Sequence, residues 1–113
     1  PRDGSVKVYV DFDDQYYYPA KIKNNKVYIA LNAPLTLETA KPFVYQNQKK
    51  YMYNLYSATS NMASSIISYA GFSYKYHPAH NGKNAKKGVY FRHYHKKTHS
   101  AFHSFYGKPY IVK

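Results

Sequence analysis

No cysteine occurs in the chain, which excludes disulfides, a thiolate metal site and a cysteine nucleophile. Stability must come from packing alone, and such a domain loses nothing on passing from an oxidising exterior into a reducing cytosol. Tryptophan is also missing, although tyrosine occurs sixteen times. The unbroken apolar stretches are only a few residues long and mean hydropathy is −0.70. The sequence therefore contains neither a transmembrane helix nor a secretory signal, and no membrane insertion is expected. Negative charge is scarcer still: Asp3, Asp11, Asp13, Asp14 and Glu38 are the whole acidic complement, and no side-chain carboxylate follows residue 56.

What is present is positive charge. Seventeen Lys and Arg give a formal net charge of +12. Residues 1–56 hold eight basic and five acidic residues, net +3, whereas residues 57–113 hold nine basic residues and none acidic, net +9. A surface of one sign attracts polyanions such as nucleic acid, teichoic acid or anionic headgroups, or an acidic protein partner. Tyrosine adds stacking area and a hydroxyl, which suits nucleic-acid or carbohydrate contact. At 113 residues with 44% hydrophobic content the chain, 1–113, reads as one domain with one core. It starts at Pro1 rather than Met, as the C-terminal piece of a longer chain would.

Period-two alternation dominates the first third. Val6, Val8, Val10 and Phe12 share one face of a predicted strand, and YYYPAKI, residues 16–22, reads as a second whose Pro19 places it at an edge or bulge. Asn24 and Asn25 form a plausible tight turn into KVYIAL, residues 26–31. Pro34 and Pro42 punctuate a connection with one helical turn around residues 35–40. The clearest helix spans about Ser57 to Ala70, with Leu55, Ala58, Met62, Ile66 and Ala70 on one apolar stripe, a Ser57, Thr59 or Ser60 cap and Gly71 at the end. After it come a short strand at FSYKY, a loop over residues 77–88, and two strands at VYFRHYH and AFHSFY. The expected fold is α+β, an antiparallel sheet with one main helix packed on one face; barrel-like closure of the same strands is compatible with the pattern.

All six histidines, His77, His80, His93, His95, His99 and His103, lie within residues 77–103. Metal binding and proton-transfer chemistry both require such concentration. His93 and His95 are two apart on one strand, hence on one face. A hairpin loop at residues 96–100 would pair His95 with Ala101, His93 with His103 and Phe91 with Phe105, bringing three imidazoles onto one patch of sheet. Such a set either ligates an ion such as Zn, through His77, His80, His93, His95 and His103, or performs general acid and base work on a phosphodiester. Metal-dependent nucleases usually add a carboxylate, which here would have to come from Asp11, Asp13 or Asp14. That tilts the expectation toward metal-free chemistry with no cofactor.

Basic and hydroxyl residues accompany the cluster. Arg92 lies between the strand histidines but points to the opposite face, while Lys96, Lys97 and Thr98 fall in the expected loop. Thr98, Ser104 or Tyr106 can donate a hydrogen bond to a phosphate oxygen, and Lys83, Lys86 and Lys87 can contact phosphates from the NGKNAKKG loop. The catalytic candidates are therefore His80, His93, His95, His103 and Tyr106, and the substrate-binding candidates Lys83, Lys86, Lys87, Arg92, Lys96, Lys97 and Thr98. As polar surface positions, His93 and His103 are expected to tolerate Ala with little change in melting temperature.

The run from NMASSIISYAG through HPAH, FRHYHKK and HSFYGKPY resembles the His-rich C-terminal toxin domains of Gram-positive polymorphic or contact-dependent secreted toxins, which are considered nuclease-like. The matching positions are His77 and His80, His93 and His95, and His103 with Phe105, Tyr106, Gly107 and Pro109, within residues 57–110. His99 has no place in that pattern. The resemblance implies a secreted antibacterial effector that acts in a target cell's cytoplasm and is neutralised by an acidic immunity protein. Combined with the charge, the expectation is a nuclease, RNA cleavage by histidine acid and base chemistry ahead of metal-dependent DNA cleavage. The alternative is a non-catalytic cationic, Tyr-rich module that binds cell wall or surface layer.

Overall fold

The protein is described by a computed structural model over residues 12–45, 53–79, 86–97 and 101–113. The strand expected over residues 6–12 lies outside that range apart from Phe12, whose ring meets Tyr18 and Tyr56 edge-on. Strands β1 (Tyr18–Lys23) and β2 (Lys26–Ile29) pair antiparallel with Lys23 opposite Lys26. Asn24 and Asn25 turn the chain at φ of 52° and 61°; two consecutive left-handed residues are what a two-residue hairpin matching the sheet twist needs, and Asn tolerates them. Pro19 does not mark an edge: β1 has neighbours on both sides, and the proline is tolerated because the ladder to β2 begins only at Ala20.

Helix α1 (Leu37–Val44) is longer than the expected single turn because Thr36 and Thr39 form a reciprocal cap, each hydroxyl accepting from the other's backbone N–H at 3.2 and 2.8 Å. Helix α2 (Ser60–Tyr69) is capped by Thr59, whose hydroxyl accepts from Met62 N at 3.2 Å, and Gly71 follows it at φ 94°. It starts three residues later than expected. Residues Asn54–Ser57 form β3 instead, because that segment lies between β1 and β6 and pairs with both. Strands β4 (Tyr74–His77), β5 (Gly88–Lys96) and β6 (Ser104–Val112) complete the chain.

The class is α+β, with the six strands of the described residues in the order β2-β1-β3-β6-β5-β4. Its pairings are antiparallel except for β3 with β6 and the contact of β2 with β5. That last contact curls the sheet into a small closed barrel and leaves β4 as a flap on its edge. Closure needs Gly88: a Cβ there would lie 2.2 Å from Asn25 O, and Val89 N donates to that same oxygen at 2.9 Å. Tyr18, Ala20, Val27, Ile29, Tyr56, Val89, Phe91 and Phe105, drawn from all five barrel strands, fill the interior. A second core lies outside, where Leu55 and Phe102 meet Ala40 and Val44 of α1 and Ile66 and Ile67 of α2. Both form because each strand alternates: Leu55 faces the helices and Tyr56 the barrel. No helix among the described residues is long and apolar enough to cross a membrane.

Candidate functional site

The interior face of β5 reads Val89, Phe91, His93, His95, apolar at the bottom and imidazole at the top. β4 lays His77 directly opposite His93. His103 stands just before β6, beside Phe105, whose ring stacks on it at an interplanar angle of 1° and a centroid distance of 5.3 Å. Ring centroids are 4.4 Å apart for His77 and His95, 4.6 Å for His95 and His103, 4.8 Å for His93 and His95 and 5.2 Å for His93 and His103. Four imidazoles thus wall one pocket of about 220 Å³, floored by Val27, Val89 and Phe91 with Ile22 and Asn25 at its side. The expected convergence holds, by a different register. β5 pairs His93 with Phe105 rather than with His103. A slip of two residues keeps every side chain on its face; a slip of one would have scattered the rings.

The slip has a packing cause. Phe102, only 1% exposed, is drawn into the helix-side core, so β6 begins at Ser104 rather than at residue 101. His103 is held by β3 instead. Its carbonyl accepts from Leu55 N at 3.1 Å, and its backbone N and its Nδ1 both meet Asn54 Oδ1 at 3.0 Å. An oxygen that accepts from a backbone N–H accepts from Nδ1 as well, so the proton sits on Nδ1 and the lone pair on Nε2. His93 is set the same way, its Nδ1 lying 2.9 Å from the Phe91 carbonyl, which can only accept. Burial, followed by the neighbouring His95, His93 and His77, pushes the His103 pKa down to about 3. The ring is therefore neutral at physiological pH.

Sequence reasoning missed Asn54, and no motif could have found it, because only the β3–β6 pairing brings it to residue 103. It also placed His77 in a loop, whereas it ends β4. Other candidates lie elsewhere. Tyr106 is opposite Arg92 on the outer face, stacked on Tyr94 at 5.7 Å, and Arg92 bonds the Tyr110 hydroxyl there. Lys96 is not in a loop: it is 4% exposed, its Nζ donates to Val44 O at 2.7 Å and lies 4.5 Å from the Phe72 ring, so it caps the C-terminal end of α1. Its surroundings lower its pKa through burial. Lys86, Lys87 and Lys97 are exposed. His80, Lys83, Thr98, His99 and Asp11 lie outside the described residues. Asp13 and Asp14 are exposed and do not line the pocket. His93 is 6% exposed, which overturns its treatment as a surface position that Ala could replace without a stability cost. Lys75 sits opposite His95, on the cluster's own face.

Comparison with family profiles, curated proteins and solved structures finds no match to this chain.

Proposed function

We propose that the domain is a nuclease whose reaction centre is the pocket walled by His77, His93, His95 and His103, with RNA the favoured substrate because its 2′-hydroxyl carries the nucleophile within the chain to be cut. One observation carries this reading: four imidazoles from three separate stretches of chain converge on a concave pocket in a protein of net charge +12. Among the described residues no acidic group lines that wall, which suits entry of a phosphate. Exposed Lys75, Lys86 and Lys97 attract a polyanion's backbone. His93 presents a lone pair fixed by its Nδ1 bond, the arrangement that receives a proton or an electrophile, whereas His103, made a weak base by burial, stands beside it as a neutral ring. His77 and His95 are partly exposed and form the side of the pocket that a strand reaches first. The role as a secreted antibacterial toxin restrained by an acidic immunity protein rests on the sequence resemblance.

The test is direct. Purified domain incubated with total RNA and with supercoiled plasmid, in buffer containing Mg²⁺ and Zn²⁺, should degrade one of them, and His95→Ala should lose that activity while keeping the wild-type circular dichroism spectrum. Intact RNA and intact plasmid after incubation with folded wild-type protein would overturn the reading.

A further inference from the structure

Nitrogen atoms of His77, His93 and His95, one from each ring, all lie within 4.8 Å of one another. A tetrahedral ion with bonds of about 2.0–2.1 Å needs its nitrogens roughly 3.4 Å apart, so small side-chain rotations would close the set. We infer that these three imidazoles form a binding site for one divalent transition-metal ion, with a fourth coordination position open to the pocket and His103 beside it.

Three features support this beyond proximity. First, His93 donates Nδ1–H to the Phe91 carbonyl at 2.9 Å, the outer bond that in metal sites fixes the tautomer and turns Nε2 toward the ion. Second, the donors are all imidazole, with no carboxylate among the described residues that line the pocket; such a set suits Zn²⁺, Ni²⁺ or Cu²⁺ and not Mg²⁺ or Ca²⁺, which require oxygen ligands. Third, the ligands stand on paired strands. His77 faces His93 across the β4–β5 ladder and His95 is two residues on, so the backbone holds the donor set before any ion arrives. His103 is left out of the donor set, because the nitrogens that lie within 4.8 Å of one another belong to His77, His93 and His95. Three protein ligands with one open position is the pattern of catalytic rather than structural sites. The ion's use in cleavage rests on the nuclease reading above; its binding does not.

The full chain, stripped with EDTA and dialysed free of chelator, would be titrated with Zn²⁺ by calorimetry and with Co²⁺ by visible absorption. The expected result is one ion per chain, a cobalt spectrum in the tetrahedral range, and a rise in melting temperature with Zn²⁺ but not with Mg²⁺. His77→Gln, at the partly exposed end of the flap, and His95→Gln should each weaken Zn²⁺ by more than about 100-fold, beyond the 10–100-fold typical for loss of a supporting bond, whereas His103→Gln should cost less than about tenfold. Failure of folded, stripped wild-type protein to bind Zn²⁺ would overturn the inference whatever the variants do, as would binding indifferent to His77→Gln and His95→Gln. Zinc binding with RNA and DNA left intact would uphold the metal site and remove the nuclease reading; cleavage undiminished in EDTA would uphold the nuclease and remove the ion's use in cleavage, while its binding stands or falls with the titration.

Discussion

Asn54→Ala should destabilise the protein by about 2 kcal/mol, although residue 54 is neither in the pocket wall nor charged. Its side chain is fully buried and its Oδ1 accepts two bonds from His103, each 3.0 Å long. Each bond is worth about 1 kcal/mol net, and truncating a packed side chain adds roughly another 1 kcal/mol for the space it vacates. Against this, Asn54 Nδ2 is buried with no hydrogen-bond partner among the described residues. Removing that orphan returns about 1 kcal/mol, leaving the stated difference. For a domain of this size the melting temperature should fall by roughly 8 °C. Urea unfolding of wild type, Asn54→Ala, His103→Ala and the double variant closes a cycle in which the pair should show a coupling of about 1 kcal/mol. A cycle that sums to zero would refute the argument that β3, rather than a β5–β6 hairpin, positions His103. Asn54→Asp sharpens the point, since it keeps both accepted bonds and places a carboxylate behind the imidazole. It should raise the His103 pKa, measured by NMR titration, and an unchanged value would deny the contact.

Three further outcomes follow from the packing. Gly88→Ala puts a Cβ against Asn25 O at 2.2 Å, and should cost about 2 kcal/mol or more in urea unfolding by opening the β2–β5 seam; a neutral result would mean that the barrel is not closed there. Lys96→Met should lower stability by about 1 kcal/mol through the lost bond to Val44 O while leaving nucleic-acid cleavage unchanged; a large loss of cleavage would return Lys96 to the site. Burial raises Tyr17 to about 12 and raises Tyr56 further. Because the folded state holds these protons more tightly than the unfolded chain, their contribution is complete below pH 10 and is lost as pH rises through 10 to 12. Alkaline unfolding followed by circular dichroism should show this, and Tyr17→Phe should shift the onset upward; onset unmoved by Tyr17→Phe would assign the transition to other groups.

Local chemistry determined a good part of this protein from sequence alone. Consecutive asparagines can turn a chain tightly, and residues 24 and 25 do. Period-two spacing puts His93 and His95 on one face whatever strand lies beside them. A Thr cap and a following glycine bound α2, and charge composition needs no fold at all. The tertiary structure decided everything that depends on which strand lies next to which. The 54–57 segment is extended because it fills the slot between β1 and β6, a fact no helical stripe through Leu55 reveals. Lys96 looks like a phosphate ligand until its burial against α1 is seen. His77 joins the cluster through pairing with β5, and His103 joins through Asn54, nearly fifty residues away in the chain. Period and propensity act over a few residues, whereas a pocket is closed by contacts whose partners are chosen by the burial of Phe91, Phe102 and Phe105 as a group. That cooperative choice moved the β6 register by two and still kept the imidazoles together.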